Sequence, residues 1–180
     1  NYKIDDNYYK TEDTDFYFVV ENTLLFTYKC HLKSISSYFD SMFKNNFLEN
    51  QLGNIILTDS KVNDIKTFLD VIYFKKKISK NNVLQILPLV DKWNINILEE
   101  QCNNIIMDEI PITFNSLIEV QHFKIFDKFS SLFSKNIHNI FKSDDELLLC
   151  DLNLLNPNSL QILLKKILIQ YNTKYKKCEE

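Results

Sequence analysis

The sequence predicts an α+β domain, a small sheet flanked by a cluster of helices, followed by an all-α segment. Three observations carry this. Short β-rich runs separated by turn residues fill the first third of the chain. From Val62 onward, apolar residues recur at three- and four-residue steps. Pro111 is the clearest boundary, and beyond it only the helical period remains.

Residues 1–14, rich in Asp, Asn and Tyr, read as a loosely structured extension. Phe16 to Val20 and Thr23 to Tyr28 are β-rich runs around Glu21-Asn22, a hairpin signal. Leu32 to Lys44 reads as two short helices, with the Ser34, Ser36 and Ser37 cluster able to cap the second. In that second helix Tyr38, Phe39, Met42 and Phe43 share one face, which is expected to be buried. Asn54 to Thr58 is a short apolar run between turn residues, read as a buried strand. Asp59 or Ser60 can cap the next helix, which carries Val62, Ile65, Phe68, Leu69 and Ile72 on one stripe. Tyr73 to Ile78 is expected to hold a short exit strand, and Lys75-Lys76-Lys77 reads as a solvated turn.

Asn82 opens a helix with Val83, Ile86, Leu87 and Val90, which Pro88 should kink or end. Another helix starts near Ile97, with Leu98, Cys102, Ile105 and Ile106 inward. Beyond Pro111, helices are expected over 114–123, over 125–141 with a Phe126, Phe129, Phe133, Ile137 and Ile140 stripe, and over 160–171 after Pro157-Asn158-Ser159. Lys174 to Lys177 reads as a tail.

Composition excludes several classes of function. The chain has 180 residues, long enough to bury a core without disulfide or metal. All 21 basic residues are Lys, there is no Ala and only one Gly. Abundant Asn, Ile and Lys point to an AT-rich genome. The net charge of −3 gives no push toward nucleic acid, and the lack of Arg removes the commonest reader of guanine. Cys30, Cys102, Cys150 and Cys178 are scattered, which fits reduced thiols in cytoplasm or nucleus, those of the host cell if the genome is viral. No signal peptide is visible, and no apolar run reaches the ~18 residues of a membrane helix.

Catalytic and metal chemistry find no foothold. A single glycine, Gly53, cannot build a phosphate cradle. His31, His122 and His138 are not at metal spacing. The pairs Glu99-Glu100 and Asp144-Asp145 fall at helix ends and solvated faces. No catalytic residue, cofactor or metal is expected, and the chain is read as no enzyme. What stands out is Phe47-Leu48-Glu49, an aromatic-x-acid step after an Asn-rich break. A large apolar residue on an exposed loop suits a partner's pocket, and the acid can accept hydrogen bonds beside it. The bland reading is that Phe47 folds back onto Phe43 and Glu49 is solvated.

The order of elements and a run of motifs resemble the BTB/POZ domain. Asp15 is followed thirteen positions on by Tyr28-Lys29, where the family has His-Lys. The family's L-x-x-x-S-x-Y-F-x-x-M-F is matched by Leu32, Ser36, Tyr38, Phe39, Met42 and Phe43. An aromatic-x-acid step at Phe47-Leu48-Glu49 and the strand Ile55-Ile56-Leu57 follow, then Ile72-Tyr73, and then Asn82-Val83, Leu87, Asp91, Leu98 and Cys102. Ile118-Glu119, Asn136-Ile137 and Pro157-x-Ser159-Leu160 look like a divergent BACK segment, also called a 3-box. Tyr28 stands at the family's His, and His31 is out of that register. The resemblance divides the chain into an extension over 1–14, a BTB/POZ domain over 15–107, a BACK-like helical region over 108–172 and a tail over 173–180.

The resemblance implies a protein–protein interaction module, the cullin-3-binding part of a substrate adaptor for a ubiquitin ligase. Phe47, Leu48 and Glu49 would contact the cullin-3 N-terminal domain. Asp15 and Lys29 would form a charged pair in a pocket facing a twofold axis. The substrate, an unidentified protein, would bind through regions outside this chain. A homodimer is expected, because Phe16, Phe18, Leu24 and the first helices offer more apolar surface than one small sheet covers. The alternative is a self-association module of scaffold or transcription-regulator type, with no ubiquitin role.

Overall fold

The computed structural model describes residues 3–4, 11–140 and 151–176. Phe141, Asp144, Asp145, Cys150, Lys177 and Cys178, and most of the expected N-terminal extension, lie outside the described residues. The chain divides into two compact units, residues 1–106 and 107–180.

The first unit is built on a mixed sheet of order β1-β3-β2-β4. Its centre is the expected hairpin of β2 (Phe16–Val20) and β3 (Thr23–Thr27). Glu21 and Asn22 both have positive φ, 46° and 61°. Such a two-residue type I′ turn matches the twist of the flanking strands. Pairing runs from Phe16↔Thr27 to Val20↔Thr23. β1 (Lys3–Ile4) adds parallel to β3, so part of the stretch read as loose extends the sheet. β4 (Asn54–Leu57) pairs parallel with β2 at the other edge. Being an edge, β4 alternates: Ile55 and Leu57 are buried while Ile56 is exposed, which corrects the fully buried strand expected.

Two helices follow the hairpin, α1 (Lys29–Ile35) and α2 (Ser37–Lys44). Ser36 stands between them and caps α2, its Oγ accepting the Phe39 N–H at 3.1 Å. The same hydroxyl donates to the Trp93 carbonyl. Phe39 and Met42 are buried, but Tyr38 is 41% exposed, so the apolar face of α2 is narrower than its spacing predicts. α3 (Leu48–Leu52) is a one-turn helix ending at Gly53, whose φ of 69° closes it with a left-handed cap.

α4 (Val62–Ile72) buries Ile65, Phe68, Leu69 and Ile72 as expected. Its cap is not Asp59 or Ser60: the Val62 N–H is taken by Glu21 Oε2, 3.1 Å away, from the hairpin turn. Asp59 instead pairs with Lys92 at 2.9 Å, which holds its carboxyl below the usual range. No strand forms over 73–78. Phe74 turns left-handed, and the Lys75 and Lys76 N–H groups both donate to the Asp70 carbonyl, which consumes the backbone groups a strand would need.

α5 (Val83–Lys92) runs through Pro88. An interior proline costs about 3 kcal/mol. Ile86, Leu87, Leu89 and Val90 are all buried around it, and each contributes about 1.5–3 kcal/mol, so packing outweighs the break. α6 (Asn96–Glu109) turns Cys102 and Ile106 inward, while Ile97 faces solvent. Burial among apolar neighbours pushes the Cys102 thiol up to about 12.

The second unit is helical. α7 (Phe114–Val120) is capped by Thr113, whose Oγ1 accepts the Ser116 N–H at 3.1 Å. α8 (Phe126–Lys135) buries Phe126, Phe129 and Phe133, and the short α9 (Ile137–Ile140) follows. α10 (Pro157–Lys176) starts with proline at its first position and is capped by Asn156 Oδ1 on the Ser159 N–H at 2.9 Å. It packs on α8, where Lys166 bridges Asp127 Oδ1 at 2.8 Å and Ser131 Oγ at 2.6 Å. It continues through Lys174–Lys176, where the sequence predicts a tail.

Ser36→Ala removes both a cap and the donor to a buried carbonyl. It should lower stability by about 2–3 kcal/mol. Urea titration followed by the single tryptophan should show a lower midpoint with an unchanged slope. Maleimide labelling with peptide mapping should find exposed Cys30 modified in the native protein and Cys102 modified only on unfolding.

Candidate functional site

The Phe47-Leu48-Glu49 step does not lie on a loop. It forms the start of α3, with Phe47 at the N-cap and Leu48 and Glu49 in the first turn. Asn45 ends α2 with its N–H on the Ser41 carbonyl, and the chain turns out at Asn46. Phe47 is 51% and Leu48 64% exposed; Glu49 is half-buried. Phe47 makes no ring contact among the described residues. The ring of Phe43 points inward instead, 5.0 Å from Phe16 and 5.9 Å from Phe39. Phe47 folding back onto Phe43 is therefore not what the structure shows.

α3 has no buried residue, so something other than core packing must hold it. Asn50 does this from the helix itself. Its Nδ2 donates to the Phe43 carbonyl at 3.0 Å and the Asn45 carbonyl at 3.3 Å. Its Oδ1 and its backbone carbonyl both accept from Lys29 Nζ at 3.0 Å. Lys29 in turn lies 5.5 Å over the Phe43 ring. Leu48 and Leu52, one turn apart, are thereby presented to solvent on a fixed turn of helix. Leu52 is an exposed apolar residue that sequence reasoning left out, and Ile56 one that it read as buried; the period-2 pattern of an edge strand could have marked Ile56 as exposed.

Asp15 and Lys29 are brought together, but not as a buried ion pair. Asp15 Oδ1 accepts the backbone N–H of Lys29 at 2.8 Å, and the Lys29 ammonium goes to Asn50. Asp15 is exposed, and its carboxylate sits at the N-terminus of α1, where an anion is favoured. Tyr28 gives its hydroxyl to a bond with Thr11 Oγ1 at 2.8 Å. His31 is packed: Nε2 is 2.9 Å from the Ile72 carbonyl and the ring stacks on Tyr73 at 4.6 Å. His122 is exposed, and no group of metal-binding side chains occurs among the described residues. The His138 side chain lies outside them.

Comparison with known proteins identifies the family. Residues 5–109 match the BTB/POZ domain family. The chain belongs to the BTB/POZ family. This part of it is a protein-interaction module of α+β BTB fold, in a family that is not enzymatic. It is 28% identical over 143 residues to Kelch repeat and BTB domain-containing protein 3 of Homo sapiens, covering 74% of this chain and 23% of that protein. It is 30% identical over 103 residues to BTB and MATH domain-containing protein 42 of Caenorhabditis elegans, covering 55% and 25%. The chain thus spans about a quarter of the length of these curated relatives. The solved BTB (Tramtrack and Bric a brac) domain of human gigaxonin matches 51% of this chain and 75% of its own at 17% identity, with a TM-score of 0.42.

Two outcomes check the site's construction. Asp15→Ala should cost only about 1 kcal/mol, the scale of a lost charge at a helix N-terminus. Lys29→Met should raise amide hydrogen exchange over 47–52 while leaving β2 and β3 protected.

Proposed function

We propose that this BTB/POZ chain is the cullin-3-binding part of a substrate adaptor for a ubiquitin ligase. The observation that carries it is the exposed Phe47-Leu48 pair on a helix turn that Asn50 and Lys29 hold in place. Exposing two large apolar residues on a pinned element is costly unless a partner covers them. Glu49, half-buried beside them, can accept hydrogen bonds at the rim. The names of the relatives support the same reading. Each joins a BTB domain to a second domain, Kelch repeats or a MATH domain. On this reading the substrate binds outside these residues, and the helical region over 108–172 serves as a BACK-like segment. The adaptor would work in cytoplasm or nucleus.

A homodimer belongs to the same proposal, on family grounds. The sequence argument for it does not survive, since Phe16 and Phe18 are buried within the chain itself. Light scattering at tens of micromolar should report twice the chain mass. If it reports one, the dimer is wrong.

Phe47→Ala decides the docking claim. Truncating an aromatic at the centre of an interface costs about 2 kcal/mol, roughly a thirty-fold loss of affinity. Calorimetry with the cullin-3 N-terminal domain should show that loss with the melting temperature nearly unchanged. Glu49→Ala should lose less. A folded Phe47→Ala protein with undiminished cullin affinity would overturn the proposal.

A further inference from the structure

The sheet of the first unit ends at β4, with no strand beyond it among the described residues. In the parallel ladder with β2, the Tyr17 N–H donates to the Gly53 carbonyl at 3.1 Å, and Phe18 and Val20 stand opposite Ile55 and Leu57. Successive residues of a strand turn their peptide groups to opposite sides. Residues 53, 55 and 57 therefore direct theirs to β2, and Asn54 and Ile56 direct theirs outward. Folded chains guard such an edge with charge, proline, a bulge or brevity. Gly53 to Thr58 holds no charged residue and no proline. Its pairing runs without a skip from Tyr17↔Asn54 to Val20↔Leu57, so there is no bulge. The four-residue length of β4 is its one guard. The Asn54 side chain does not cap the edge, because its Nδ2 goes to the Tyr17 hydroxyl and the Leu52 carbonyl, both at 3.1 Å.

The side chains lead to the same edge. On the sheet face turned from Phe18 and Leu25, one cross-strand row runs Leu24, Val19, Ile56. Leu24 is partly covered and Val19 is buried, but Ile56 is 63% exposed. An apolar row thus stops uncovered at the strand whose peptide groups are also unpaired. Facing side chains in neighbouring strands are what stabilise a sheet, and Ile56 faces such a neighbour on one side only.

We propose that β4 pairs with β4 of a second copy of this chain, antiparallel and centred on Ile56, so that two sheets become one. Ile56 turns its N–H and C=O outward, so a twofold axis there makes Ile56 a hydrogen-bonded pair with its own counterpart. The row Leu24, Val19, Ile56 then continues into the same three residues in reverse order, and like apolar side chains meet across the axis. Asn54 stands opposite Thr58. The strand has no charge with which to select a different partner, and in this pairing no charge within Gly53 to Thr58 opposes a like charge. Self-match is therefore the recognition that this edge carries. The contact uses none of Phe47, Leu48 and Glu49, and it is additional to the homodimer proposed above: copies that make both contacts assemble beyond two.

Two measurements test it. With Cys30, Cys150 and Cys178 replaced by Ser, Ile56→Cys should form a disulfide-linked pair of chains under mild oxidation. Facing Cα atoms of a hydrogen-bonded antiparallel pair lie about 5.5 Å apart, within disulfide reach. Linking should be at least about tenfold faster than for Phe74→Cys, whose parent residue is 91% exposed and so reports random encounter. In sedimentation equilibrium at high micromolar concentration, Ile56→Lys should halve the mass of the parent and melt as the parent does, since the side chain is exposed. The mass falls from four chains to two if the homodimer forms as well, and from two to one if it does not, so failure of the homodimer is not failure of this contact. Ile56→Pro should give the same halving, because the lost N–H makes no bond within the sheet. Phe47→Ala should change neither the linking rate nor the mass. Equal linking of the two cysteine variants, or a parent mass that Ile56→Lys and Ile56→Pro leave unchanged, would overturn the proposal; the open edge would then fall to a strand of another protein.

Discussion

The first unit depends on one buried ring. Trp93 stacks on Phe18 at 5.2 Å and 22°, and meets Phe39 at 5.2 Å and Phe68 at 4.8 Å. Those partners come from β2, α2 and α4, so a single side chain joins the sheet to two helices. Its Nε1 has no hydrogen-bond partner among the described residues, at a cost of about 1–3 kcal/mol. Aromatic contacts on three sides offset that cost. The carbonyl of the same residue is satisfied by Ser36, which also starts α2. Packing and capping therefore meet at one point: the serine that sets where α2 begins also fixes how deep Phe39 reaches.

From that point the docking edge follows mechanically. Phe39 and Met42 are fixed inward, so α2 ends in a defined direction, and Asn45 closes it. The next helix is too short to contribute a core residue and takes its position from polar bonds. Asn50 links it to the end of α2 and to Lys29, while Gly53 returns the chain to the sheet, where its carbonyl accepts the Tyr17 N–H at 3.1 Å. An edge built this way keeps its apolar side chains outside. Had α3 been long enough to bury one face, Leu48 and Leu52 would be candidates for the core.

Much of this was legible in the sequence, because it rests on local rules. The Glu21-Asn22 hairpin, the Ser36 cap, the α4 stripe and the proline that opens α10 each follow from spacing or residue type over a few positions. Phe47 as an exposed residue was legible for the same reason. What escaped depends on distant partners. Glu21 caps α4 from forty-one residues away, and Lys29 turns its ammonium to Asn50 rather than to Asp15. Pro88 stays within α5 because the side chains around it are buried, which no proline rule contains. The strand expected at 73–78 is lost to a turn whose anchor, the Asp70 carbonyl, is invisible in a β-propensity reading.

The scarcity of glycine sharpens the reading of that turn. Among the described residues, left-handed backbone occurs at Gly53 and also at Glu21, Asn22, Phe74 and Asn94. Asparagine tolerates the conformation best after glycine, which accounts for two of these positions. Asn94 gains further from its side-chain bond to Ser37 Oγ at 2.7 Å. Glu21 is costlier, but its carboxylate caps α4, so the fold recovers part of the strain. At Phe74 the return is in the backbone: its N–H meets the Val71 carbonyl and the Lys75 and Lys76 N–H groups share the Asp70 carbonyl, which caps the end of α4. Its ring makes neither hydrogen bond nor aromatic contact among the described residues, and it is the bulkiest side chain of the set. The left-handed residue there serves to end α4, as Gly53 ends α3, and it leaves the ring almost wholly exposed.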